Sequence, residues 1–208
     1  MNHHIQHPVI DDQMAQLRQK SCPTPMFRKH VQEIAQMMVP DVTANLSTEP
    51  VDIETPLTVT TGKQLSRSII LVPILRAGLG MLEGFLNLLP DASVAHIGME
   101  RDEITLQPKS YYFKTPTTLA EADVIVLDPM LATGGSASAA IDELKKQGAQ
   151  HIRFACLVAA PEGLEEINNR HKDVPIYYPA LDKYLNENGY IIPGLGDAGD
   201  RIFGTIHH

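Results

Sequence analysis

Val124-Ile-Val-Leu-Asp128-Pro-Met-Leu-Ala-Thr133-Gly134-Gly135-Ser136-Ala-Ser-Ala-Ala-Ile-Asp-Glu-Leu144 is the stretch on which the reading of the fold turns. Its first four residues are apolar and three of them are β-branched, which predicts a strand buried on both faces. Ala140, Ile141 and Leu144 then recur at helical spacing, and Gly148 is placed to end that helix. Between strand and helix stand Asp128 and a turn of small residues. A Thr-Gly-Gly-Ser turn that opens a helix suits an anion. Glycine lets the backbone approach the ligand, the first N–H groups point outward, and the helix N-terminus carries partial positive charge. Thr133 and Ser136 offer hydroxyl donors, with Ser138 a third candidate. Asp128 falls at the carboxyl end of the strand, where open α/β sheets bind ligands. A carboxylate beside an anion cradle fits a ligand that also carries sugar hydroxyls or a divalent cation.

Without a ligand, the same residues would be a small-residue turn and nothing more. No Gly-x-x-x-x-Gly-Lys-[Ser/Thr] occurs anywhere in the chain, so this is not a Walker loop. The run Leu127-Asp128-Pro-Met-Leu-Ala-Thr-Gly-Gly-Ser136 resembles the 5-phosphoribosyl-1-diphosphate (PRPP) signature of phosphoribosyltransferases, and within them the uracil phosphoribosyltransferase family. That resemblance implies that Pro129, Met130, Leu131, Ala132, Thr133, Gly134, Gly135 and Ser136 bind PRPP together with Asp128.

Composition sets the bounds. At 208 residues with 43% apolar and 20% charged, the chain suits one globular domain, 1–208. A net charge of −8 argues against a nucleic-acid partner, so an anionic substrate has to be met by a few local cations. Cys22 and Cys156 do not make a disulfide framework. The amino end lacks an apolar signal core, and the apolar run Ile69–Leu75 stops at Arg76, too short for a bilayer. A cytoplasmic protein without a membrane partner is expected.

Residues 1–40 form an N-terminal arm. Met14, Leu17 and Arg18 predict one helix and Phe27, Val31, Ile34, Ala35 and Met38 another, divided by Pro23 and Pro25. Such an arm packs on a partner subunit, in a homodimer or higher homo-oligomer, or is a plain surface helix pair. Residues 41–66 are polar, with one short strand suggested at Val51-Asp-Ile-Glu-Thr55. From Ser68 strands and helices alternate: strand Ile69–Ile74, helix Gly78–Leu89, strand Ser93–Gly98, a polar excursion Glu100–Ala122 with a hairpin, then Val124–Leu127 and its helix. Strand Ile152–Val158, helix Glu162–His171 and strand Val174–Tyr178 follow. This rhythm predicts an α/β fold with a mainly parallel sheet flanked by helices. The tail from about 185 to 205 reads as glycine-rich and irregular, and long irregular loops tend to be functional.

Arg76 follows a buried strand in Pro73-Ile-Leu-Arg-Ala-Gly78-Leu-Gly80, pointing to the same crevice as Asp128; alternatively it pairs on the surface with a carboxylate such as Glu83. The stretch is similar to the family's pyrophosphate loop, which implies a strained backbone with a non-proline cis peptide before Arg76. Arg101, in Gly98-Met-Glu-Arg-Asp-Glu103, resembles the second diphosphate ligand, carried by a lid hairpin at about 103–116; alternatively it is a solvated arginine in a charged turn. Glu100 stands where the family carries Tyr. The resemblance makes Asp128, Arg76 and Arg101 the catalytic set.

Gly194, Gly196 and Gly199 spell Gly-x-Gly-x-x-Gly, yet no strand leads in and no helix is expected to follow, so this is not a dinucleotide fingerprint. The segment offers exposed backbone beside a carboxylate, which suits a planar base with carbonyl and N–H edges. Gly189-Tyr-Ile-Ile-Pro-Gly-Leu-Gly-Asp-Ala-Gly-Asp-Arg201 is the chain's most specific resemblance to uracil phosphoribosyltransferases. It implies that Ile191, Gly196 and Ala198 meet uracil through the backbone, and that Asp197 serves both the base and PRPP. The fold implied is the phosphoribosyltransferase type with a small hood made by the N-terminal arm and C-terminal tail. The activity implied is pentosyl transfer from PRPP to uracil, giving UMP and diphosphate, with Mg²⁺ held mainly through PRPP and no direct protein ligand. Pro25 and Thr43-Ala-Asn-Leu46 depart from the family's pattern, so nucleotide activation is not carried over. Histidines at 3, 4, 7, 207 and 208 sit at the chain ends, where disorder is expected, and no His or Cys pair elsewhere has zinc spacing. Rival readings are transfer to another base, a pyrimidine-responsive RNA-binding regulator on the same fold, and a nicotinamide-dependent oxidoreductase.

Overall fold

Apolar runs without alternation become the central strands of one sheet in the computed structural model, which describes residues 1–101, 108–116 and 119–205, with the side chains of 100, 101 and 108–110 outside the description. The amino-terminal elements are β1 (Asn2–His4), α1 (Pro8–Arg18), α2 (Thr24–Thr43), β2 (Thr48–Glu54), β3 (Val59–Leu65), β4 (Ile69–Leu75), α3 (Leu79–Leu86), β5 (Ser93–Val94), β6 (His96–Arg101) and β7 (Pro108–Lys114). After them come β8 (Asp123–Leu127), β9 (Met130–Leu131), α4 (Gly135–Lys146), β10 (His151–Ala155), β11 (Val158–Ala159) and α5 (Pro161–Arg170). The chain closes with β12 (Ile176–Tyr178), β13 (Ala180–Leu181), β14 (Tyr184–Leu185), β15 (Ile191–Ile192) and α6 (Ala198–Phe203).

The main sheet runs β1-β12-β10-β8-β4-β6-β7, with β5 also on β4, and every described pairing in it is parallel except β6–β7. Successive side chains on a strand point to opposite faces. Ile69, Leu71, Ile125 and Leu127 therefore meet α1, α2, α3 and α6 on one face. Ile70, Val72, Val124 and Val126 meet α4 and α5 on the other. Both faces are covered by helices, which is why β4 and residues 124–127 of β8 are apolar without alternation.

From β4 the chain crosses through α3 to β6 on one side, and from β8 it crosses through α4 to β10 on the other. Their carboxyl ends lie at the point where the strand order reverses, the usual place for a ligand in an open α/β sheet. Here β8, β10 and β12 each break and resume as a small parallel sheet, β9-β11-β13. The N–H groups of Leu157 and Val158 both donate to the Pro129 carbonyl at 3.1 Å, closing the break beside Asp128.

Several expectations change. Helices α1 and α2 are not a loose surface pair, for Ile10, Leu17, Phe27, Ile34 and Met38 are core residues of this chain. Pro8 starts α1 at a position where no N–H is needed, and His7 Nδ1 accepts the Val9 N–H at 3.2 Å. Expected disorder at the amino end is replaced by β1, whose His3 and His4 stack on Tyr177 and Tyr178; His207 and His208 lie outside the described residues. The expected strand at 152–158 divides into β10 and β11, and the strand at 93–98 divides at Ala95. β3, unforeseen, pairs antiparallel with β2. The tail is not wholly irregular: β14 and β15 form a hairpin, and a six-residue helix, α6, does follow the glycines.

Candidate active site

Asp128 occupies the break after β8, and its Oδ1 accepts the Met130 N–H at 3.2 Å. Burial of the carboxyl, only partly opposed by that N–H, raises its pKa from 3.8 to about 7. Without a ligand, then, Asp128 is close to an even mixture of acid and carboxylate near neutrality. Cys156 behind it is fully buried, and its thiol is pushed well up by burial and by the Asp128 charge, consistent with a core residue.

After β9, Gly134 takes φ +80, and a Cβ there would meet Glu166 Cβ at 2.8 Å. Glycine is required at this position by both backbone angle and space. Helix α4 begins at Gly135, so its first N–H groups, without intrahelical partners, face the turn. Gly135 N–H lies 3.4 Å from Thr133 Oγ1, and the Thr133 and Ser136 side chains are exposed. Ser138 is not available as a third donor. It is fully buried, with Oγ 3.0 Å from His171 Nε2, and so belongs to the contact between α4 and α5. Pro129 and Leu131 turn inward as well: Leu131 is a core side chain whose carbonyl accepts the Ala160 N–H at 2.9 Å. Gly148 takes φ +96 and ends α4 as expected.

Arg76 follows β4 across a cis Leu75–Arg76 peptide. Its guanidinium meets Asp200 Oδ1 at 3.3 Å and lies 5.7 Å from the Phe203 ring, so its partner is in the tail and not Glu83. Arg101 closes β6, next to the hairpin partner β7; its side chain, and residues 102–107 within the expected lid, lie outside the described residues.

The tail comes back over this crevice. Ile191 is buried, Gly196 is exposed at φ +79, and Asp197 caps α6 by accepting the Asp200 N–H at 2.9 Å. A cleft of about 260 Å³ is lined by Ala77, Asp128, Met130 and Ala132 on the sheet side and by Gly189, Tyr190, Ile191, Gly196, Asp197, Ala198 and Gly199 on the tail side. Asp128, Met130 and Ala132 thus share one space with Ile191, Gly196 and Ala198, which the sequence singles out for a different ligand. Ala77, Gly189, Tyr190 and Gly199 also line it, although only their proximity to the quoted runs could have signalled them. Gly163 and Glu166, which press on the turn from α5, left no signal in the sequence.

A mainly parallel sheet with a small-residue turn and a carboxylate at its switch point defines the phosphoribosyltransferase fold class. A hypoxanthine phosphoribosyltransferase from Staphylococcus aureus superposes with a TM-score of 0.52 at 12% identity over 76% of each chain, a likeness of fold alone. The family model described as Uracil phosphoribosyltransferase matches residues 4–205, and the chain belongs to that family. The uracil phosphoribosyltransferase of Ligilactobacillus salivarius (strain UCC118) is 54% identical over 202 residues, 97% of both chains. A solved protein from Aquifex aeolicus superposes with a TM-score of 0.93 at 36% identity over the whole of both chains.

Proposed function

We propose that this chain transfers the 5-phosphoribosyl group of PRPP to uracil, giving UMP and diphosphate, and so serves pyrimidine salvage. The observation that carries the reading is the shared cleft, with Asp128, Met130 and Ala132, just before the turn into α4, on one wall and Ile191, Gly196, Asp197 and Ala198 on the other. The α4 N-terminus with Thr133 and Ser136 holds the 5-phosphate, and Asp128 accepts hydrogen bonds from the ribose hydroxyls. The first role uses unpartnered N–H groups, and the second uses a carboxyl that becomes fully ionised once a cationic centre is near. Arg76 exchanges Asp200 for the diphosphate, and Arg101 approaches from β6. Both arginines offset charge on the leaving group as positive charge develops at ribose C1, so the rate arises from positioning and electrostatic stabilisation.

Mg²⁺ bound through PRPP oxygens would neutralise the departing diphosphate. Asp128 and Asp197, the carboxylates lining the cleft, fit a cation that keeps most of its ligands from water and substrate.

The base meets main-chain groups of the tail, whose polarity suits uracil. A cytoplasmic setting agrees with two free cysteines, and among the described residues no helix is long and apolar enough to cross a membrane. The homo-oligomer reading finds a further candidate surface in the β2–β3 hairpin, whose Leu57 is 96% exposed and whose Ile53 and Val59 are also exposed. The test of the reaction is formation of UMP and one equivalent of diphosphate from uracil, PRPP and Mg²⁺. No UMP from the folded protein would refute it.

A further inference from the structure

We propose that Arg18 and Asp182 form a positioning clamp that sets the backbone of the base-reading tail, and so govern the affinity for uracil while leaving PRPP binding alone. The inference rests on the reading above that this tail receives the base. Asp182 is only 8% exposed, and both of its carboxylate oxygens are used. Arg18 Nη2 donates to Oδ1 at 2.7 Å and Arg18 Nη1 to Oδ2 at 2.8 Å, a bidentate pair. The Gly194 N–H donates to the same Oδ2 at 2.8 Å, and Arg18 Nη1 also donates to the Gly194 carbonyl at 2.7 Å. One peptide position thus has its donor held by Asp182 and its acceptor held by Arg18, at φ +61. Next along the chain, the Leu195 carbonyl is taken by Arg201 Nη1 at 2.7 Å. That guanidinium is itself fixed by the Gln19 carbonyl at 2.7 Å and by the Phe27 ring 4.2 Å away.

With Gly194 and Leu195 gripped from α1, from the residue after β13 and from α6, Gly196 emerges into the cleft in a set orientation. The clamp itself does not reach that cleft. Arg18 lies with Gly194 and Leu195 along a cavity of about 510 Å³ that shares Gly196 and Asp197 with the cleft, but neither Arg18 nor Asp182 lines the cleft itself. Arg18 and Asp182 are therefore positioning residues. A buried ion pair is weak as a source of stability, because desolvation offsets much of the attraction. Its consequence here is geometric: hydrogen bonds to charged groups hold a loop that has little regular structure of its own.

The test compares Arg18→Met and Arg18→Lys with the wild type by the KM for uracil, the KM for PRPP and inhibition by diphosphate. Losing charge-assisted bonds to Gly194 should raise the uracil KM about tenfold or more in Arg18→Met. The PRPP KM and the diphosphate inhibition constant should stay within about twofold, because neither Arg18 nor Asp182 lines the cleft. Arg18→Lys, which keeps the charge but not the bidentate fork, should recover part of the loss. Should Arg18→Met fail to fold, Asp182→Asn serves, since it keeps an acceptor for the Gly194 N–H and loses the ion pair; the same selective rise is expected. An unchanged uracil KM, or parallel rises for uracil and PRPP, would overturn the clamp. Hydrogen exchange separates this failure from failure of the functional reading. Amides 194–198 should exchange faster in the variant while those of 135–140 do not. If the wild type makes no UMP, the functional reading falls, and unaltered exchange at 194–198 would overturn the clamp independently.

Discussion

The two walls of the cleft are built by different means. The side we propose for PRPP, the PRPP wall with the residues beside it, consists of strand ends and a helix start: Asp128 follows β8, Arg76 follows β4, and Gly135 opens α4. Its geometry comes from the parallel ladder and the two cores, so small residues suffice to complete it. The base wall is a tail with two-residue strands and a six-residue helix. It is held by side chains from far away in sequence, with 164 positions separating Arg18 from Asp182 and 182 separating Arg201 from Gln19. A wall made of regular elements positions a ligand common to many enzymes of one fold. A wall made of irregular backbone can fix the pattern of donors and acceptors that selects one base.

The largest expected effect belongs to the base wall. Cytosine presents an amino donor where uracil presents a carbonyl, and an acceptor at N3 where uracil presents N–H. A site built on such hydrogen bonds rejects the inverted analogue by roughly 10⁴-fold, so cytosine should be nearly inert in kcat/KM while 5-fluorouracil is accepted. Comparable values for cytosine and uracil would remove the selective role from the tail.

The PRPP wall offers the next. Asp128→Asn should lower kcat by about 10²- to 10³-fold, because a charge aimed at the reacting sugar is lost. A variant with near-native turnover at saturating Mg²⁺ would displace Asp128 from the site. The same variant should not lose stability. The folded chain keeps the Asp128 proton up to about pH 7, whereas an unfolded aspartate releases it near 3.8. The native state then binds more protons in that window, so stability falls as pH rises through it and stays lower above it. Asn has no such dependence, so denaturant unfolding above neutrality should find Asp128→Asn at least as stable as the wild type. A clear loss there would mean that the carboxylate is a structural asset.

Smaller again is the effect on the excursion at 103–116. Its amides should gain hydrogen-exchange protection when PRPP and Mg²⁺ are present, as a lid over the PRPP wall would. Equal exchange with and without ligand would separate it from that wall.

The contrast between the walls also explains what could be read in the sequence. β4 and residues 124–127 of β8 announce themselves because strands covered on both faces read as continuous apolar runs. The turn into α4 is legible because only small residues satisfy φ +80 at Gly134 beneath Glu166. β3 gave no sign, since Val59–Leu65 has almost no buried position and hence no alternation. α6 is too short for a helical period and carries Gly199 within it. Asp182 sits in Leu-Asp-Lys without any local pattern, and its meaning depends on Arg18 and Gly194, which only the fold brings to it. Ser138 was misleading for a related reason: its spacing fits the anion site, but the helix turns it toward His171.

The central claim is that the two walls serve two substrates, and one crossed measurement tests it most directly. Arg76→Ala removes a cation from the PRPP wall, and Gly196→Ala forces a side chain into φ +79 on the base wall. The dissociation constant for PRPP with Mg²⁺, by calorimetry, and the KM for uracil are measured for both variants. The account predicts that Arg76→Ala weakens PRPP about tenfold with the uracil KM little changed, a charge-assisted hydrogen bond being at stake. Gly196→Ala should do the reverse, raising the uracil KM by a similar factor through about 1–2 kcal/mol of backbone strain. Both constants moving together in both variants would contradict it.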